Sequence, residues 1–203
     1  MDMKKPGTLP EAEYDAKNCL PEVRGNPSIA IYGGSFNPPH VGHTFASLYT
    51  LAMNPINEVW VIPCGEHAHG KSLESFWARY DMCKIAFKRI SNVVVLPLEF
   101  YLPKPSYTNQ TLKFIKERYP DINLNLIVGQ DCSVEIPSWE GGHETMELAN
   151  IITVPRSGYD NDGHLLPEIS SSVVREALSS GSSASRHLDM GVREYISENN
   201  LYS

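Results

Sequence analysis

The chain has 203 residues, 41% of them hydrophobic, and a formal net charge of −7 at neutral pH. That length and apolar content suit one α/β domain with a core of its own. The acidic balance argues against a general nucleic-acid binder, and no apolar run reaches the roughly 20 residues of a membrane span, so neither nucleic acid nor membrane is an expected partner.

Residues 1–27 are polar, rich in Glu, Pro and Lys, and lack the apolar core of a signal peptide. They read as an N-terminal extension or a loosely docked arm, with the folded domain expected over 28–203. The four cysteines, Cys19, Cys64, Cys83 and Cys132, form no Cys-x-x-Cys pair, which predicts reduced thiols in a cytoplasmic protein. From Ser28 onward, strand and helix patterns alternate. Ile29 to Tyr32 is a short apolar run. It leads into Gly33-Gly34-Ser35-Phe36-Asn37-Pro38-Pro39-His40-Val41-Gly42-His43, and then into Thr44 to Met53, where Phe45, Leu48, Tyr49 and Ala52 fall at helical spacing. Val59 to Ile62, Val93 to Leu96, Leu124 to Val128 and Ile151 to Val154 read as further buried strands. Between them, Phe76, Tyr80, Cys83, Phe87 and Ile90 mark one helix. Leu112, Ile115 and Tyr119 mark another that begins near Thr108. Two helical patterns close the chain, one over Ser171 to Leu178 and one carrying Leu188, Val192, Tyr195 and Ile196. This order predicts a single α/β domain with a Rossmann-like, doubly wound parallel sheet.

Two stretches carry chemistry. In the first, Gly33 and Gly34 allow positive φ and let backbone N–H groups approach an anion. Ser35 adds a hydroxyl, and the prolines stiffen the turn. His40 and His43 share one face of an incipient helix whose N-terminus attracts negative charge. The second is Ile169-Ser170-Ser171-Ser172-Val173-Val174-Arg175. One serine would serve as an N-cap; three, with an arginine one turn further in, predict hydroxyls and a guanidinium converging on one anion.

GGSFNPPHVGH resembles the signature of nicotinate/nicotinamide mononucleotide adenylyltransferases, members of the nucleotidyltransferase superfamily with its (H/T)xGH motif. The serine-rich stretch is similar to that family's ISSTxxR, with Ser172 in the usual threonine's place. Pro105 to Leu112 resembles SYTxxTL, Gly129-Gln130-Asp131 resembles GxD, and Arg156 lies in a match to RxGY. The resemblance spans roughly residues 28–200. It implies adenylyl transfer from ATP to nicotinate or nicotinamide mononucleotide, giving the dinucleotide and pyrophosphate. His40 and His43 would face the ATP phosphates and the transition state. Gly34, Ser35, Phe36, Lys71, Ser171, Ser172 and Arg175 would hold nucleotide and phosphates. Thr108, Gly129, Asp131, Trp139 and Arg156 would hold the mononucleotide, with Trp139 stacked on the pyridine. Mg²⁺ would ride on the ATP phosphates, with no metal ligands from the chain. His67 and His69 depart from the bacterial PPHK pattern and read equally as loop histidines. Class I aminoacyl-tRNA synthetases share an HxGH-like motif, but their KMSKS is absent. A sister transferase with another phosphorylated acceptor, such as phosphopantetheine, and a non-catalytic nucleotide sensor are the alternatives. The oligomeric state is not legible, which leaves a homo-oligomer open.

Overall fold

A computed structural model describes residues 15–66, 72–155, 169–180, 182 and 186–202. The first half runs β1 (Ser28–Gly34), α1 (Val41–Met53), β2 (Glu58–Pro63), α2 (Phe76–Phe87), β3 (Val93–Val95), α3 (Leu98–Tyr101) and α4 (Thr108–Arg118). The second half runs β4 (Asn123–Gly129), α5 (Gln130–Ser133), a 3₁₀ turn (Ile136–Ser138), α6 (Gly142–Leu148), β5 (Asn150–Val154), α7 (Ser171–Ser179) and α8 (Met190–Glu198). The strands form one sheet in the order β3-β2-β1-β4-β5, and every pairing is parallel. Strand order reverses between β1 and β4. That switch opens a crevice beyond their carboxyl ends, where open α/β sheets bind ligands.

The strands are predominantly apolar because helices cover both faces of the sheet. Ile29, Ile31, Trp60, Ile62, Leu124 and Leu126 point to the face covered by α3 and α4, where Leu98, Leu112 and Ile115 meet them. Ala30, Val59, Val61 and Ile127 point to the other face, against Ala46 of α1 and Cys83 and Phe87 of α2. A third cluster, Met82, Val174, Leu188, Val192 and Ile196, seats α7 and α8 on α2.

The helix after the first motif differs from expectation in its phase. Phe45 and Leu48, taken from the spacing as apolar-face residues, are each 45% exposed, whereas Ala46, Ser47 and Thr50 are buried. The buried stripe is the one that continues His43 at i+3, i+4 and i+7. Turning His43 inward brings α1 onto the sheet along small side chains, and the large ones are left outside.

Before β1, the described residues 15–27 pack against the domain. Cys19 is buried in the main core, with Ala16, Leu20 and Val23 against it. The Tyr119 hydroxyl donates to the Pro21 carbonyl, and Asn123 N–H donates to Pro27 O at 3.0 Å. All four cysteines are free thiols. Among the described residues, no helix is long and apolar enough to cross a membrane.

Candidate active site

The first motif lies at the carboxyl end of β1, beside the strand-order switch. Its left-handed residue is not a glycine: Phe36 has φ +45°, and neither Gly33 nor Gly34 has a positive φ. Phe36 is fully buried, with its ring edge-on to Tyr32 at 5.5 Å and 4.8 Å from His43 between centroids. The ring is buried with its backbone in that left-handed conformation. Gly34 serves it by lacking a Cβ, which would sit 3.2 Å from the ring. At Gly33 a Cβ would meet nothing within 4 Å, so this exposed backbone stands open.

His40 is the N-cap of α1 and only 5% exposed, while His43 is half-buried one turn on. Their rings stack with centroids 3.8 Å apart. Gly42 makes room for this, since a Cβ there would lie 3.0 Å from the His40 ring. His40 N–H donates to His43 Nδ1 at 3.0 Å. That bond requires an unprotonated Nδ1, so the neutral imidazole of His43 carries its proton on Nε2 as a donor.

The serine-rich stretch packs beside the first turn. It is bonded to the first motif. Ser170 caps α7, accepting from Val173 N–H at 3.3 Å. Ser171 Oγ donates to Pro38 O at 2.9 Å. Arg175 Nη1 donates to Asn37 O at 2.7 Å, and Nη2 donates to Ser172 Oγ at 3.2 Å. Asn37 itself is buried, and its Oδ1 accepts from Glu74 N–H at 3.2 Å and from the Tyr202 hydroxyl at 2.7 Å. Burial pushes the Tyr202 phenol well above its ordinary range, which keeps it a donor. Thus α7, the start of α2 and the end of the chain all grip one turn.

Arg79 in α2 is 1% exposed and links that turn to β2. It donates to Ser35 O at 2.8 Å, Cys64 O at 2.7 Å, Gly65 O at 3.4 Å and Glu74 O at 3.0 Å. Beyond it, Glu99 is 7% exposed and accepts from Gly65 N–H at 3.2 Å, Ser106 Oγ at 2.7 Å and Thr111 Oγ1 at 3.0 Å. Desolvation raises the Glu99 carboxyl above its ordinary value, against the lowering pull of these donors. Sequence reading missed Glu99; its one signal is an acid inside the apolar run Leu96 to Leu102.

On the β4 side, Gly129 ends the strand and Asp131 lies half-buried in α5. Trp139 is half-buried against the main core just after the 3₁₀ turn, and Glu140 beside it is exposed. The Trp139 amide is engaged, donating to Ile136 O at 3.0 Å. Thr108 is the first residue of α4, not its cap, which is Tyr107. Asn109 Nδ2 donates to Glu144 Oε2 at 2.7 Å and so ties the start of α4 to α6. Lys71, Arg156, His67 and His69 lie outside the described residues.

Residues 31–177 match the cytidylyltransferase-like family. A protein of Anaeromyxobacter dehalogenans named "Probable nicotinate-nucleotide adenylyltransferase" is 36% identical, over 89% of this chain and 99% of its own length. A protein of the same name from Myxococcus xanthus is 34% identical, over 86% of this chain and 94% of its own. The solved Plasmodium falciparum nicotinic acid mononucleotide adenylyltransferase, complexed with APC, shares the fold with a TM-score of 0.74 at 25% identity, over 87% of this chain and 98% of that one. A family match over most of the chain, falling on stacked histidines at the switch point of a Rossmann-like sheet, makes this chain a member of the cytidylyltransferase-like family and a nucleotidyltransferase of the nicotinate-nucleotide adenylyltransferase type.

Proposed function

We propose that the chain transfers the adenylyl group of ATP to nicotinate mononucleotide in the cytoplasm, forming the dinucleotide and pyrophosphate. A phosphate oxygen of the mononucleotide attacks the α-phosphorus of ATP, and the bond between the α-phosphorus and the bridging oxygen to the β-phosphate breaks. The attacking phosphate has a second pKa near about 6, so at neutral pH it is largely a dianion and needs no general base. The task left to the protein is in-line placement of two anions and relief of their repulsion.

One observation carries this reading: the stacked pair His40 and His43, with the His43 proton on Nε2, on the same turn that holds Arg175. His43 donates to the phosphate oxygens as charge builds in the transition state, and His40 flanks it. Arg175, Lys71, Ser171 and Ser172 bind the ATP phosphates, and the Gly34, Ser35 and Phe36 backbone contacts the nucleotide. Thr108, Gly129, Asp131, Trp139 and Arg156 bind the mononucleotide, with Trp139 on the pyridine. Mg²⁺ enters on the phosphates of ATP as part of the substrate.

Preference for the acid over the amide follows the names of the relatives and the SYTxxT, GxD and Trp139 features. A carboxylate needs N–H donors, whereas a carboxamide also needs an acceptor for its NH₂. The test is kcat/KM for both pyridine mononucleotides at saturating ATP, read by dinucleotide formation. A tenfold preference for the amide, about 1.4 kcal/mol in the transition state, overturns the acid preference and leaves adenylyl transfer standing.

A further inference from the structure

We infer that Glu99 is a positioning residue for the acceptor: it holds the first turn of α4 and the backbone after β2 as one wall of the mononucleotide site. The inference rests on the proposed binding of the mononucleotide beside Thr108.

Three observations carry it. First, the Glu99 contacts bracket Thr108: Ser106 lies two residues before it and Thr111 three residues after it, and both hydroxyls donate to this one carboxylate. The position of Thr108 is therefore set from both flanks by a single side chain. Second, the same carboxylate oxygen that accepts from Ser106 also accepts from Gly65 N–H, the second residue past β2. Gly65 is pressed so close that a Cβ there would lie 2.5 Å from Glu99 O. The chain leaving β2 and the start of α4 thus meet at Glu99 without a side chain between them. Third, the Ser106 and Thr111 bonds are buried and the Gly65 bond is partly buried. A buried carboxylate without such donors would be strongly unfavourable, and removing it orphans all three. The Asn109–Glu144 bond holds the opposite side of the same turn through α6, so α4 starts between two acidic anchors.

This arrangement separates Glu99 from the ATP side. Among the described residues, Asn37, Pro38, Arg175 and Tyr202 bond to one another's segments and not to Glu99, and Arg79 links the two halves by holding Gly65 O and Ser35 O. Loosening Glu99 should therefore move the acceptor wall more than the nucleotide turn.

The test is steady-state kinetics with each substrate varied in turn, for the full chain and the variants Glu99→Ala, Glu99→Gln and Thr111→Val. Glu99→Gln keeps an acceptor oxygen for Gly65 and Ser106, and Thr111 can turn its hydroxyl to accept from the new amide. We expect Glu99→Ala to raise the KM of the mononucleotide at least tenfold while the KM of ATP stays within about threefold, and Glu99→Gln to restore both to within about threefold of native. Thr111→Val, nearly isosteric, should shift the mononucleotide KM about threefold in the same direction, and it carries the test if Glu99→Ala does not fold. A mononucleotide KM unchanged in the folded variants, or equal rises for both substrates, overturns the inference. A native chain that forms no dinucleotide overturns the underlying reading of the reaction, and the inference with it.

Discussion

Arg79→Met measures how strongly a buried cation braces the nucleotide turn. The guanidinium is 1% exposed, and among the described residues no carboxylate lies within salt-bridge distance of it. Its charge is satisfied by carbonyls instead, with short bonds to Cys64 O at 2.7 Å, Ser35 O at 2.8 Å and Glu74 O at 3.0 Å. Hydrogen bonds to a charged group contribute about 1.5–3 kcal/mol each, and three would sum to roughly 5–9 kcal/mol. Methionine fills the stem and removes the desolvated charge, which offsets part of that loss, so the net cost is about 3–5 kcal/mol. For a domain of this size each kcal/mol shifts Tm by about 2–4 °C, which places the expected fall near roughly 10 °C. Arg79→Lys should be intermediate, because a compact ammonium cannot reach Ser35, Cys64 and Glu74 together. Thermal and denaturant unfolding of the three proteins are the assay, with the KM of ATP expected to rise in Arg79→Met as Ser35 loses its anchor. A Tm for Arg79→Met within about 2 °C of native would refute the bracing argument.

His43→Ala should lower kcat about 10²-fold or more, the scale of losing one preorganised donor to a developing charge, with ATP affinity changing less; near-normal turnover rules out its role. Arg175→Ala should raise the KM of ATP and weaken pyrophosphate binding, with Arg175→Lys recovering only part because the fork geometry is lost, and an unchanged KM of ATP counts against it. Deleting 1–27 uncovers the core around Cys19 and should lower Tm by several degrees, while the specific activity of the folded product stays within a few-fold; a Tm equal to that of the full chain would contradict this. Because burial raises the Glu99 carboxyl, the folded chain holds that proton to higher pH than the unfolded chain does. Its contribution to stability is complete below the unfolded value near about 4.3 and is lost as pH rises through the folded value. The Tm of Glu99→Gln minus that of native should therefore grow from pH 4 to pH 7, and a difference that shrinks over that window refutes the shift.

The strands and the site were legible for different reasons. The central strands β1, β2 and β4 are buried through their middles and are written as apolar runs, broken by Asn125 in β4, while the edge strands β3 and β5 are only partly buried; all five fall where the apolar runs lie. The first motif is legible because glycine, proline and histidine types are compressed into one turn. The orientation of α1 is hidden by the same logic that hides any close helix–sheet contact. Its buried stripe is Ala46, Ser47 and Thr50, which carries no hydrophobic signal, and its conspicuous residues Phe45 and Leu48 face outward. Likewise the left-handed residue of the turn is the buried Phe36, which local propensity would not select, and neither of the glycines. Spacing cannot show that Ser171 and Arg175 reach back more than 130 positions to Pro38 and Asn37. Nor can it show that an acid at position 99 gathers three donors from two segments, the chain after β2 and the start of α4.

Those long-range bonds answer what an adenylyl transfer demands of its protein. With a dianionic nucleophile and a pyrophosphate leaving group, little covalent work remains, and rate depends on how sharply two anions are placed. Flexible side chains aimed at phosphate would lose entropy on each binding event. Here the cost is met during folding, because the Asn37–Pro38 turn is held from four directions: Tyr202 and Glu74 on the Asn37 side chain, Arg175 on its carbonyl, and Ser171 on the Pro38 carbonyl. The His40 amide then fixes the tautomer of His43 from inside the same turn. In a chain of net charge −7, the proposed placement of the phosphates at this turn relies on local donors, His43 and Arg175, held in place by these bonds.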